Sequence, residues 1–97
     1  MESKETVLEI LNGVRQEISI RYKVKIFGIF GSYVRGEQKE GSDIDILVEF
    51  MDDADLFDFL GLSLFLEEKL NKKVDVVPKT ALREELRASI LKEVAYL

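Results

Sequence analysis

Cysteine and histidine are absent from the chain, and proline occurs once, at Pro78. Without cysteine there is no disulfide, no thiolate metal site and no cysteine nucleophile. Without histidine, imidazole acid–base catalysis and the common zinc sites are excluded. A catalytic metal must then sit on oxygen ligands, which points to magnesium or manganese. Positive charge is in deficit: Lys and Arg number 14 against 19 Asp and Glu, a net −5. A sequence-independent nucleic-acid binder carries a basic surplus, so no stable nucleic-acid binding is expected. Long apolar runs are missing too. Met1-Glu2-Ser3-Lys4-Glu5 has no signal-peptide pattern, so the expectation is a cytoplasmic protein with no membrane contact.

What is present is enough for one core. Hydrophobic residues make up 46% of 97 residues, which suits a single folded domain over 1–97. From Ser3 to Tyr22, residues Val7, Leu8, Ile10, Leu11, Val14 and Ile18 recur at three- and four-residue steps, one apolar helical stripe. Val24–Phe30 is short, apolar and β-branched, the pattern of a buried strand. A brief helix is expected from Ser32 to Gly36, then a polar loop from Glu37 to Ser42. Asp43–Phe50 reads as a second strand with Ile44, Ile46 and Val48 on one face, followed by an acidic turn, Met51–Asp55. Asp55 suits the N-cap of a helix from Leu56 to Leu70. Its apolar arc (Leu56, Phe57, Phe59, Leu60, Leu64, Leu66, Leu70) predicts thorough burial. Val74–Val77 is a third strand ended by Pro78, and Thr80 is expected to cap a last helix along Leu82, Leu86, Ile90 and Val94. The order α-β-α-β-α-β-α predicts an α/β (α+β) fold, a small mixed sheet flanked by helices. The relative direction of the first two strands stays open.

Three features carry chemistry. Gly31-Ser32 stands where a strand turns into a helix, and a helix N-terminus offers backbone N–H groups suited to phosphate. Taken alone, it is an ordinary serine cap after a turn glycine. Asp43-Ile44-Asp45 places two carboxylates on one face of a strand, since side chains alternate. Two such carboxylates repel each other unless a cation lies between them, and a pair of divalent ions would use them to hold a triphosphate. Taken alone, Asp-x-Asp is a solvent-facing strand start. Asp75 is the lone charge in Val74–Val77, either a third carboxylate for metal or base chemistry, or a solvent-facing residue. Spacing changes the odds: Gly-Ser, ten residues, then Asp-x-Asp matches by chance about once in a thousand such chains. The pattern also falls on a strand, a helix start and a second strand, the context such a motif requires.

Gly31-Ser32-Tyr33-Val34-Arg35-Gly36-Glu37, followed by Gly41-Ser42-Asp43-Ile44-Asp45-Ile46-Leu47-Val48, resembles the minimal nucleotidyltransferases of the DNA polymerase β superfamily. Arg35-Gly36 falls where that family often carries Arg-Gly, and Asp75 where it carries a third carboxylate. The tail from Ile90 to Leu97 looks like the family's closing helix. The resemblance implies a polymerase-β-like fold and transfer of AMP from ATP with release of pyrophosphate. It implies that Gly31 and Ser32 hold the distal phosphates. Asp43 and Asp45 would bind two Mg2+ ions (Mn2+ as a substitute), with Asp75 completing the metal site and helping to activate the acceptor hydroxyl. Arg35 either touches phosphate or packs at the surface.

Many stand-alone members of that family resemble the antitoxin of a toxin–antitoxin pair whose partner is a helical HEPN-type ribonuclease toxin. The resemblance thus implies a protein adenylyltransferase that adds AMP to a partner tyrosine. These 97 residues leave no room for a second domain to hold a small acceptor, which favours a protein acceptor. Two alternatives stay open: an antitoxin that neutralises by binding alone, and a nucleotidyltransferase acting on a small molecule or an RNA end. Val94, Tyr96, Leu97 and the 56–70 helix are either core or interface.

Overall fold

The computed structural model describes residues 3–97; the readings that fall on Met1 and Glu2 lie outside them. Helix α1 runs Lys4–Tyr22, and the Ser3 hydroxyl caps it by accepting the Thr6 N–H at 3.2 Å. Lys23 ends it in the left-handed region, at φ 56°. Strand β1 is Val24–Phe30, the single turn α2 is Ser32–Arg35, and strand β2 is Ile44–Phe50. Helix α3 is Leu56–Leu70 and starts on a reciprocal cap, where Asp55 and Asp58 each accept the other's backbone N–H at 3.0 Å. Strand β3 is Val74–Pro78, helix α4 is Glu84–Glu93, and a short strand β4 is Ala95–Tyr96. Among the described residues, no helix is long and apolar enough to cross a membrane.

The sheet order is β3-β2-β1-β4. β1 runs antiparallel to both β2 and β4, and β2 runs parallel to β3, so the sheet is mixed as expected and the open direction is settled as antiparallel. The sheet separates two apolar clusters. On one face Ile44, Ile46 and Val48 pack with Val7, Leu11 and Ile18 of α1 and Leu62, Leu66 and Leu70 of α3. On the other, Leu47 packs with Leu82 and Val94, with Phe27, Phe30, Val77, Ile90 and Leu91 around them. Alternation along β2 therefore puts Asp45 on the Leu47 face, away from α1 and α3.

Four expectations need correction. Asp43 lies just outside β2, which begins at Ile44. α3 has the expected bounds but is not thoroughly buried: Leu62, Leu66 and Leu70 are buried and Phe59 packs on Phe50 of β2, whereas Leu56, Phe57, Leu60 and Leu64 lie on the outward side and are exposed. Thr80 does not cap the last helix. It sits in a 3-10 turn, Lys79–Ala81, and α4 starts later, at Glu84, without a side-chain cap. Leu86 of the predicted stripe is accordingly exposed, whereas Leu82 and Val94 are buried outside the helix.

The tail is not helical to its end. α4 stops at Glu93, and Ala95–Tyr96 add a fourth strand absent from the expected order. Gly28 permits this closure, since a Cβ built there would collide with the Ala95 carbonyl. The pairing is extended by Leu97 N–H donating to the Phe27 carbonyl at 2.9 Å.

Candidate active site

Gly31 follows the last residue of β1 with φ 81° and ψ −151°, backbone that only glycine adopts without strain. It also faces Asp45: a Cβ built on Gly31 would collide with Oδ2 of that carboxylate. The bare Cα thus makes room for Asp45 at the mouth of the turn. Ser32 opens α2 and is half-buried. The Gly31 carbonyl accepts the N–H groups of Val34 and Arg35 at 3.0 and 3.2 Å, which folds the turn back tightly. The first N–H groups of any helix have no partner within it, so the start of α2 suits a phosphate oxygen.

Asp45 is the Cα partner of Phe30 on β1 and of Asp75 on β3. Residues in register on parallel neighbours point to one face, with strands ~4.8 Å apart. Asp75 therefore stands beside Asp45, and Asp43, just ahead of β2, is close enough for its charge to act on Asp45. Asp43 and Asp75 are exposed, while Asp45 is half-buried. Partial burial, then the charges of Asp75 and Asp43, push the Asp45 carboxyl up to about 6. Glu93 adds to that rise, and Arg35 opposes it.

Arg35 is the cation of the group, but it is already engaged. Its Nε donates to Glu37 at 2.8 Å and its Nη1 donates to Glu93 across 58 residues of sequence. Hydrogen bonds to Glu37 and then Glu93 raise its pKa, holding it in the charged form. The pairing of Glu37 and Glu93 with Arg35 is not among the readings of the sequence. The link to Glu93 has no local signal, because it arises only when the end of α4 folds against α2. The residues singled out from sequence (Gly31, Ser32, Arg35, Asp43, Asp45, Asp75) do gather at one end of the sheet.

The chemistry of this group suits a divalent cation. Two carboxylates in register with a third nearby leave surplus negative charge, which adds to burial in raising Asp45. All donors are hard oxygens, the set that magnesium and manganese take. Among the described residues, no three acidic side chains already converge on one ligand position. Magnesium asks for less, commonly one or two carboxylates with substrate phosphates and water completing the shell.

Comparison with known proteins identifies the family. The family model of the nucleotidyltransferase domain matches residues 9–97. A protein adenylyltransferase of Thermococcus cleftensis, MntA, is 41% identical over 97 residues, covering 100% of this chain and 98% of its own length. A solved structure provisionally assigned as a minimal nucleotidyltransferase superposes with TM-score 0.75 at 36% identity, over 93% of this chain and 95% of that one. A toxin–antitoxin structure containing MntA superposes with TM-score 0.66 at 25% identity, over 100% of this chain and 72% of that one.

Proposed function

We propose that this chain, which belongs to the nucleotidyltransferase family, transfers AMP from ATP to a hydroxyl of a partner protein. The observation that carries this reading is the register of Asp45 with Asp75, beside a glycine turn whose missing side chain leaves space for the carboxylate. The identity to a protein adenylyltransferase over the whole chain supports a protein as acceptor. The likeness to a toxin–antitoxin structure supports a toxin as that protein. We take the partner to be a helical HEPN-type ribonuclease toxin and the acceptor to be one of its tyrosines. Residues 1–97 act as one nucleotidyltransferase domain, in the cytoplasm, as an antitoxin.

In this reading Gly31 and Ser32 hold the distal phosphates at the start of α2. Asp43 and Asp45 hold Mg2+, with Mn2+ as a substitute, and Asp75 completes that set. The ions supply neutralisation of the phosphate charge and orientation of the two reacting oxygens. The acceptor oxygen bonds to the α-phosphorus, the bond to the bridging oxygen of the β-phosphate breaks, and pyrophosphate leaves with that electron pair. The proton of the acceptor hydroxyl passes to the Asp75 carboxylate, which lies on the solvent side of the cluster. Arg35 leaves its glutamates to meet the triphosphate.

The test is a labelling experiment. The purified chain is mixed with α-32P-ATP, magnesium and a candidate HEPN-type partner protein from the same organism. A labelled partner band that needs magnesium and is lost in Asp43→Asn supports the reading. A stable complex without label overturns it in favour of neutralisation by binding alone. Label entering RNA or an aminoglycoside, and no protein, overturns the choice of acceptor.

A further inference from the structure

Lys72 and Lys73 stand at a corner that the backbone fixes. Helix α3 ends on Asn71 in the left-handed region, at φ 53°, which turns the chain back toward the sheet. Glu67 of the helix accepts the Val74 N–H at 3.2 Å, and the Lys73 carbonyl accepts the Ile44 N–H at 3.0 Å. The second bond sets Lys73 against β2 at the residue after Asp43. Asp75 follows Lys73 by two positions, ~7 Å of extended chain. Lys73 is exposed and Lys72 is half-buried. Among the described residues, neither ammonium joins an ion pair or lies over a ring. Lys23, by contrast, pairs with Asp53 and Asp58, and Lys25, Lys69 and Lys79 lie over phenylalanine rings.

The charges around the two lysines have other engagements. Glu67 is taken by the Val74 N–H, Lys69 by the Phe65 ring and Glu37 by Arg35. Lys39 and Glu40, in the loop before β2, are adjacent, exposed and of opposite sign. Glu68 lies midway between buried Leu66 and buried Leu70, hence on the outward side of α3. Lys92 adds an exposed cation in the last turn of α4, whose end meets Arg35. Asp43 and Asp75 belong to the cation set of the proposed reaction. The charge left at the β3 corner is positive.

Chemistry gives the site two sides. In-line displacement puts the incoming oxygen and the leaving pyrophosphate on opposite sides of the α-phosphorus. The distal phosphates are assigned to Gly31 and Ser32, which follow β1, and the sheet order is β3-β2-β1. The acceptor therefore arrives over β3, where Asp75 takes its proton and Lys72 and Lys73 form the rim.

We infer that Lys72 and Lys73 select the acceptor, by receiving an acidic segment of the partner protein beside the hydroxyl that is modified. The inference rests on the proposed function, which makes the acceptor a protein and brings its hydroxyl to Asp75. Extended chain advances ~3.3 Å per residue, so the acids lie about two to four positions from the modified residue. An ammonium on a flexible stem is a point charge that meets a carboxylate without demanding one geometry. A nucleic acid would gain two lysines against a chain of net charge −5, a poor exchange for a polyanion.

The experiment measures initial rates of AMP labelling against the concentration of a candidate HEPN-type partner protein from the same organism, at saturating ATP. Affinity for a non-hydrolysable ATP analogue is titrated separately. Lys72→Glu with Lys73→Glu should raise the KM for the partner about tenfold, with kcat and analogue affinity within about twofold of the parent. The difference should shrink as salt rises. Lys72→Arg with Lys73→Arg should label like the parent, because the charge is kept. Peptide mapping should find Asp or Glu within about four residues of the labelled position, and changing those acids to Lys should restore labelling by the double glutamate variant. A partner KM within about twofold of the parent overturns the inference, including where only Tm falls, since the lysines then serve the C-terminal end of α3. Analogue affinity that falls as far as KM rises also overturns it and gives the lysines to the nucleotide. Label entering RNA and no protein overturns the class of acceptor. A parent chain that labels nothing sinks the transfer reaction itself, an outcome distinct from equal labelling by parent and variant.

Discussion

Asp45 and Asp75 face the same side of the sheet as register partners on parallel strands, β2 and β3, although 30 positions separate them in sequence. Backbone pairing, not side-chain attraction, holds these two like charges together. The strain appears in Asp45, whose carboxyl is pushed up to about 6 by burial, by Asp75 and by Asp43.

The first prediction concerns cation binding without any reaction. Saturating Mg2+ at about 100 times its Kd should add about 2.7 kcal/mol to the stability of the parent, read as a rise in Tm. Asp45→Asn and Asp75→Asn should each remove most of that rise. For Asp43→Asn with Asp45→Asn, AMP transfer should fall at least about 100-fold. Equal magnesium-induced shifts in parent and variants would remove these carboxylates from the metal site.

Stability should also depend on pH through Asp45. Its folded value of about 6 lies above the ordinary 3.8. Between those values the folded chain binds more proton than the unfolded chain, so stability falls as pH rises through the window and stays low above it. Because the group is half-exposed, solvent screening reduces the effect to about 1 kcal/mol. Asp45→Asn should therefore match the parent at pH 4 and exceed its Tm by about 4–8 °C at pH 8, in EDTA. Melting curves at the two pH values decide it: a gain that is the same at both points to packing instead.

Much of this was legible in the sequence because it is periodic. The alternation of Ile44, Ile46 and Val48 along β2, and the helical stripe of α1, follow from strand and helix geometry alone. The face of Asp75 was not legible, because it depends on how β3 pairs with β2. β4 escaped notice because two residues carry no period, and what makes the strand is a distant glycine, Gly28, that lets Ala95 approach. The exposure of Leu56, Phe57, Leu60 and Leu64 escaped for another reason. A helix apolar over a wide arc reads the same whether its outer side meets core or partner.

Gly31 offers a third test. Gly31→Ala meets both a backbone region closed to other residues and a collision with the Asp45 carboxylate. Gly36→Ala is the control, since Gly36 has φ 72° but open space around its Cα. Gly36→Ala should lose about 1 kcal/mol of stability and keep most of its activity. Gly31→Ala should lose about 1–3 kcal/mol and, in addition, most magnesium binding, because Asp45 must swing aside. Thermal melts with and without magnesium separate strain from displacement. A Gly31→Ala chain that binds magnesium like the Gly36→Ala control would mean that Asp45 has room to spare.

The last prediction follows from the double engagement of Arg35. Glu37 and Glu93 both accept hydrogen bonds from its guanidinium, so an arriving triphosphate has to compete for it. Arg35→Ala should weaken ATP binding about tenfold, the loss of one charge-assisted contact. Glu93→Gln should strengthen it by a factor of about 2–5, because it removes one of the two acids that compete for an exposed arginine. Arg35→Lys should not restore binding fully, since an ammonium lacks the planar fork. Equilibrium titration with a non-hydrolysable ATP analogue measures all three. If Glu93→Gln weakens binding as much as Arg35→Ala does, the glutamate holds the arginine in its working position, and the resting ion pair is part of the nucleotide site.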